Sequence, residues 1–503
     1  MKIKILIIIT LFLNLIAFAQ PEIAWQNHFG STQDDYAYSI VQTIDGGFVM
    51  AGYTLGSNVD VTNHHGGRDF WVVKTNSSGN LQWQKALGGA GTEVAFSIIQ
   101  TSDNGYIVAG YANSFDGDIT ESFGGEDIWV VKLDSSGNLQ WQKSYGNSNH
   151  QRAFSIIPTS GGGYVLTGVT RIDANDTDYI VIKLDNVGNV EWQYNYSYDT
   201  NNSNDEAHTI VQTLDGGYIV TGYSVLFEHL GLNYSDAWVI KLNSSGIAQW
   251  DIRYGGSLID SLWDIQPSSD GGYIMAGYSS STDGDITNNN GGEDYWVVKI
   301  DAMGNLQWQK SLGGSNSERA FSVRETTDGG YIVSGYTQSN DGDITNAKGS
   351  QDGWIVKLDN SGNLQWQKIL GGTQSDIIRS IIQTTNSGYI TIGNTSSNDS
   401  GVGNVVGRHD FWIVRFGPET LGVNDSQTDY ERLLVYPNPS NGKIHLSTPF
   451  QGVLNYELTD INGRVFQKGI LENNTINYQL NSGLYLLQLK NAEITITKKI
   501  IVD

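Results

Sequence analysis

The chain has 503 residues, of which 60 are Gly, 14 Trp and 26 Tyr against 4 Met and 7 Pro, a composition of many short strands and tight turns, and 39% hydrophobic residues exclude a disordered chain. The absence of Cys removes disulfides, thiolate metal sites and cysteine nucleophiles. A formal charge of −24 argues against nucleic acid and anionic membrane surfaces as partners, because like charges repel, and leaves cations and neutral polymers.

Residues 1–19 read as a signal peptide. Lys2 and Lys4 precede an apolar run through Ile16, and Ala17-Phe18-Ala19 gives the small-x-small pattern of a cleavage site. No later segment holds 18 consecutive apolar residues, so no transmembrane span is expected.

Residues 20–416 are an internal repeat. One tryptophan series (Trp25, Trp83, Trp141, Trp192, Trp250, Trp308, Trp366) steps by 58, 58, 51, 58, 58 and 58 residues. A second series (Trp71, Trp129, Trp238, Trp296, Trp354, Trp412) has Ile180 in place of one member, and only Trp263 falls outside both. Each copy carries four strand-like runs, here named a to d; in copy two they are Ala95–Ile99, Tyr106–Gly110, Ile128–Lys132 and Leu139–Gln142. Short turns such as Asp103-Asn104-Gly105 and Asp134-Ser135-Ser136-Gly137-Asn138 join a to b and c to d, so each copy is an antiparallel meander. Four strands per repeat predict an all-β, seven-bladed β-propeller. The seventh copy has a c run at Phe411–Val414 but no d run, while Ile23–Gln26 is a d run with nothing before it, so the N-terminal strand is expected to close the last blade. The series tryptophans are then blade core. The repeat resembles the Gly/Trp/Asp-rich propeller-like repeats of secreted Bacteroidetes proteins and, more distantly, kelch-type propellers.

Length varies only in the b–c and d–a connections, so binding chemistry is expected at that end. Three b–c loops carry paired carboxylates on a Gly turn: Asp116 and Asp118, Asp283 and Asp285, Asp341 and Asp343. Such oxygens suit Ca²⁺, which needs six to eight of them, but a D-x-D unit alone supplies too few, and a structural Asp-Gly turn is the competing reading. The repeat is irregular at copies three and four. Arg171, Asp173 and Asp176 lie in a shortened b–c loop, Tyr194, Tyr196 and Tyr198 around the next d–a connection, and His229 and Tyr234 in the following b–c loop. Aromatic rings beside Asp and Arg suit stacking on a sugar whose hydroxyls are hydrogen-bonded, against the alternative of drift in exposed loops.

A polar linker at 417–430 leads to residues 431–503, whose alternating runs predict a small β-sandwich. Four motifs follow in order: Tyr436-Pro437-Asn438-Pro439, Asp460-Ile461-Asn462-Gly463-Arg464, Gly483-Leu484-Tyr485-Leu486 and a close that includes Lys498 and Lys499. This order resembles the type A C-terminal sorting domain of type IX secretion cargo in Bacteroidetes. The resemblance implies recognition by the outer-membrane translocon, removal by a sortase-like peptidase, and a secreted or cell-surface destination.

The eight His occupy no common repeat position, and no metalloprotease or phosphate-loop motif occurs. A glycoside hydrolase needs only two carboxylates, which this chain can supply, so catalysis stays open. The leading reading is a non-catalytic propeller that binds an extracellular polysaccharide or protein. A glycan-degrading enzyme and a structural surface-layer component are the alternatives.

Overall fold

In the computed structural model the described residues are 20–173, 176–198, 203–227, 233–403, 405–419, 434–436, 440–447, 454–460, 463–471, 474–490 and 495–502. All regular structure among them is β, and the chain divides into two compact units, one of them Gln20–Glu419 and the other carrying Thr420–Asp503.

The first unit repeats a four-stranded antiparallel sheet. Copy one pairs Asp35–Gln42, Phe48–Thr54, Asp69–Thr75 and Leu81–Leu87 in that order, and copies two, five and six repeat the pattern. Copies three and four are joined into one sheet by a single parallel pair, Thr177 with Asn204. In copy seven Asp376–Gln383, Gly388–Thr395 and Asp410–Pro418 are completed by the N-terminal strand Ile23–Phe29, with Gln26 opposite Val414 and His28 opposite Trp412.

In copy two strands b and c are buried over their whole length, whereas d runs from exposed at Leu139 to buried at Tyr145. The sequences match this: Tyr106–Ala112 and Asp127–Leu133 are near-continuous apolar runs because neighbouring sheets cover both faces, while Leu139–Tyr145 interleaves Gln and Lys. Each core cluster bridges consecutive copies. Val72 packs with Trp129, Ile128 with Ile182, Val181 with Trp238, Val239 with Trp296, Tyr295 with Trp354 and Ile355 with Trp412. The series returns to its start where Ile390, Ile392 and Phe411 join Phe29, Met50 and Trp71. The c-strand tryptophans are at most 3% exposed, and Nε1 of Trp129 donates to Gln142 while that of Trp412 donates to Gln26 of the N-terminal strand.

The a–b turns explain a buried lysine in strand c. Lys74 is 2% exposed, yet its Nζ reaches Asp45 at 2.9 Å, Gln82 at 2.8 Å and the Thr75 carbonyl at 2.9 Å, so the charge is fully hydrogen-bonded. Lys132, Lys241, Lys299 and Lys357 repeat the arrangement with Asp103, Asp215, Asp270 and Asp328.

The second unit has a three-stranded sheet (Leu434–Tyr436, Lys443–Ser447, Thr475–Asn477) and a four-stranded one (Asn455–Asp460, Val465–Ile470, Gly483–Lys490, Thr495–Val502). Ile444, Leu458, Ile476, Leu487 and Ile500 share one core. Gly463, at φ 78°, closes the Asp460 turn, and the Tyr485 hydroxyl donates to the Asn481 carbonyl at 3.0 Å. Gly483 pairs with Val502, Lys499 with Leu486 and Lys498 with Leu487. Tyr436 ends the first strand opposite His445; Pro437, Asn438 and Pro439 lie outside the described residues.

Candidate ligand site

A β-bulge interrupts every a–b ladder at the same place. In copy two the register passes from Ala95 opposite Gly110 to Ser97 opposite Ala109, leaving Phe96 unpaired. The skipped residues in the seven copies are Tyr38, Phe96, Phe154, His208, Trp263, Phe321 and Arg379. A bulge bends its strand and re-aims a side chain, and here the seven side chains meet one another. Ring centroids are 4.9 Å apart for Tyr38 and Phe96, 5.0 Å for Phe96 and Phe154, 5.5 Å for Phe154 and His208, and 5.2 Å for Trp263 and Phe321. His208 stacks on Trp263 at 4.0 Å. Arg379 completes the series, its guanidinium carbon 4.4 Å from the Phe321 ring centre and 5.6 Å from that of Tyr38. Trp263, the tryptophan outside both sequence series, is a member of this collar.

The collar and the a-strand residues that follow it line a cavity of about 590 Å³, within the range of ligand pockets. Its wall is largely aliphatic, from Ile40, Ile98, Ile156 and Ile210 among others, with Gln266 and an Arg324–Asp264 ion pair on one side. The hydroxyls that follow the bulges tie adjacent copies together: Ser39 accepts from the Ile98 amide at 3.3 Å, Ser97 from Ile156 at 3.2 Å, and Thr209 donates to the Trp263 carbonyl at 2.8 Å.

Charge around the collar is uneven. Burial pulls His208 down to about 3, so its imidazole is neutral at physiological pH, and its Nε2 finds no hydrogen-bond partner. Burial raises Glu206, which accepts from the Tyr223 hydroxyl at 3.3 Å. Burial likewise lowers Arg379, whose Nε has no hydrogen-bond partner and which forms no ion pair among the described residues. Each aromatic face offers a cation about 0.5–2 kcal/mol, less than the several kcal/mol it costs to desolvate an unpaired guanidinium. By contrast, Arg152 and Arg319 are paired: Arg152 holds Glu126 through two bonds, 2.5 and 2.8 Å, and Arg319 holds Glu293 in the same way.

A second pocket of about 230 Å³ lies at copy three, lined by Glu126, His150, Arg152, Arg171, Thr177 and Glu206. Glu206 borders both cavities. Arg171 is therefore at a pocket. The other residues singled out at copies three and four are placed differently. Arg171 and Asp173 belong to the lengthened strand Tyr164–Asp173, and Asp176 opens strand Asp176–Leu184, so the shortened segment is a continued hairpin rather than a loop. Tyr194 and Tyr196 sit in strand Val190–Tyr196 rather than in the d–a connection, and strand a of copy four starts at Ser203. The Tyr196 hydroxyl donates to the Gly246 carbonyl of the next copy, as Tyr145 does to Gly188 and Tyr254 to Gly304, a clamp between sheets. Tyr194 packs on Trp192, Tyr198 lies edge-on to Trp238 with Arg253 4.5 Å over its ring, and Tyr234 pairs with Leu226. His229 lies outside the described residues.

The paired loop carboxylates cap backbone amides. Asp116 accepts from Ala90 at 2.8 Å and Asp118 from Gly88 at 3.1 Å; Asp283 from Ser257 at 2.8 Å and Asp285 from Gly255 at 3.1 Å; Asp341 from Ser315 at 2.8 Å and Asp343 from Gly313 at 3.0 Å. Among the described residues no three His, Asp or Glu side chains converge to hold a metal ion.

Residues 434–503 match the family described as the secretion system C-terminal sorting domain. A stretch of 138 residues is 28% identical to the regulatory protein FlaEY of Caulobacter vibrioides, covering 25% of this chain and 14% of that protein. Similar solved structures include PorZ, a surface component of the type IX secretion system of Porphyromonas gingivalis, at 13% identity and TM-score 0.43, over 94% of this chain and 60% of PorZ. They also include the α-L-arabinanase of Penicillium chrysogenum (9% identity, TM-score 0.38, 80% of this chain and 99% of that one) and the periplasmic gluconolactonase of Pseudomonas aeruginosa (14%, 0.38, 68% and 87%). The tail is thus a type IX secretion sorting domain, and the protein is an exported cargo found outside the cell or on its surface.

Proposed function

We propose that residues 20–416 form a seven-bladed β-propeller, closed by the N-terminal strand, that binds an extracellular polysaccharide or surface protein without transforming it. The observation that carries this reading is the collar that lines a cavity of about 590 Å³. Seven bulged side chains that touch in sequence, the seventh reaching the first through Arg379 and Tyr38, support a closed ring. Aromatic faces beside polar groups are what a sugar ring needs for stacking and hydrogen bonding. Binding without turnover is supported by the collar histidine, which is buried and neutral, while Glu206, raised by burial and bordering both cavities, is the nearby carboxyl a hydrolase would use as its acid. Residues 1–19 act as the signal peptide, 417–430 as the linker, and 431–503 as the segment that engages the translocon and a sortase-like peptidase.

Glycan-array retention of the mature chain, with reducing ends followed in parallel, tests this. Retention without new reducing ends is expected. Release of sugar would replace the binder with a glycoside hydrolase, and no retention of any glycan or surface protein would leave a structural role.

A further inference from the structure

The collar holds six rings and one arginine, and the arginine is the exception in a second way. Arg152, Arg319 and Arg324 each have a carboxylate partner, whereas Arg379 has only the faces of Phe321 and Tyr38. It lines the cavity. Opposite it in the series, His208 is 6% exposed, also lines the cavity, and has an Nε2 without a hydrogen-bond partner. A guanidinium without a carboxylate partner at the wall of a cavity, its Nε buried and unbonded, is a waiting site for one anion, since a carboxylate would form two parallel hydrogen bonds with it. The aliphatic and aromatic wall asks for a ligand body with an apolar face, and Gln266 with the Asp264–Arg324 pair offers bonds to hydroxyls. The net charge of −24 limits the ligand's own charge, because a polyanion would be repelled before reaching the cavity.

We infer that the cavity takes the end of an otherwise neutral oligosaccharide that carries a single sugar acid, with its carboxylate on Arg379 and its ring against the collar. This rests on the polysaccharide-binding reading above and specifies the ligand's chemistry.

The test uses the mature chain and matched tetrasaccharides, neutral or bearing one terminal glucuronate, with a polyuronate of equal length as third arm. Binding is followed by calorimetry for wild type, Arg379→Gln and Arg379→Lys, with the thermal midpoint recorded for each. The singly acidic sugar should bind wild type at least about tenfold more tightly than its neutral partner. Arg379→Gln should erase that preference, Arg379→Lys should keep part of it, and the polyuronate should bind more weakly than the singly charged sugar. Neutral and acidic sugars binding alike in wild type, or a preference that survives in Arg379→Gln, would overturn the inference and leave the general reading standing. Failure of all three sugars together with an empty glycan array would overturn both.

Discussion

Replacing Gly110 by Ala tests the origin of the collar. A Cβ built on Gly110 falls 1.9 Å from the Val94 carbonyl oxygen, 2.8 Å from the Val94 carbonyl carbon and 2.9 Å from the Ala95 Cα, all backbone atoms of the bulged strand. A carbon rests against a carbonyl oxygen at about 3.3 Å, so relief needs more than about 1 Å of main-chain movement across the bulge. Overpacking of this kind costs about 1–3 kcal/mol, and an obstacle made of backbone places it at the upper end, about 3 kcal/mol. For the folding unit Gln20–Glu419 the thermal midpoint should fall by roughly 4 °C, and the near-ultraviolet signal of the aromatic collar should change with it. Gly161→Ala is the control: nothing lies within 4 Å of its Cβ and its φ is outside the left-handed region, so its midpoint should match wild type. Calorimetry of the mature chain decides. Equal midpoints for Gly110→Ala and Gly161→Ala would refute the claim that close approach at the glycine permits the bulge.

Tyr196→Phe removes the hydroxyl that donates to Gly246 and should cost about 1 kcal/mol with no loss of ligand binding, measured by denaturant unfolding. Burial raises Asp35 and Asp294 to about 6, so the folded state holds these protons more tightly than the unfolded chain, and the penalty, at most about 3 kcal/mol each, is relieved as pH falls from 7 toward 4. Asp215 is brought down to about 2, chiefly by the Thr213 hydroxyl and Lys241, and its contribution is lost as pH falls from about 4 toward 2. Melts across pH should therefore peak at mildly acidic pH; a midpoint that falls steadily from pH 7 to 5 would contradict this. Because the paired loop carboxylates already accept amide bonds, chelator should leave the midpoint within about 1 °C, and a rise of several degrees on adding Ca²⁺ would assign them to an ion. Asp116→Ala should cost about 1 kcal/mol with or without calcium, read in the same melts.

The sequence alone determined the repeat, its strands and its pairing, because those follow from local periodicity. Fully buried strands read as unbroken apolar runs, Asp-Gly turns fix the hairpins, and an orphan d run at the N-terminus has one complementary gap, the edge of Asp410–Pro418. The sorting motifs were equally legible, being contiguous words. The collar was not. Tyr38, Phe96, Phe154, His208, Trp263, Phe321 and Arg379 do recur at one repeat position, a signal that aligning the a runs could have found, but alternation along a strand does not reveal a bulge, which takes its residue out of the ladder. The residues gathered by sequence at copies three and four were separated: the shortened b–c segment pairs as a continued hairpin, Tyr194 and Tyr196 lie on a d strand of ordinary length from which Tyr196 bonds to the next sheet, and among the described residues Arg171 lines a pocket. Whether a side chain faces a neighbouring sheet, solvent or a cavity is set by contacts among residues roughly 58 positions apart in the chain, and only the tertiary structure brings those together.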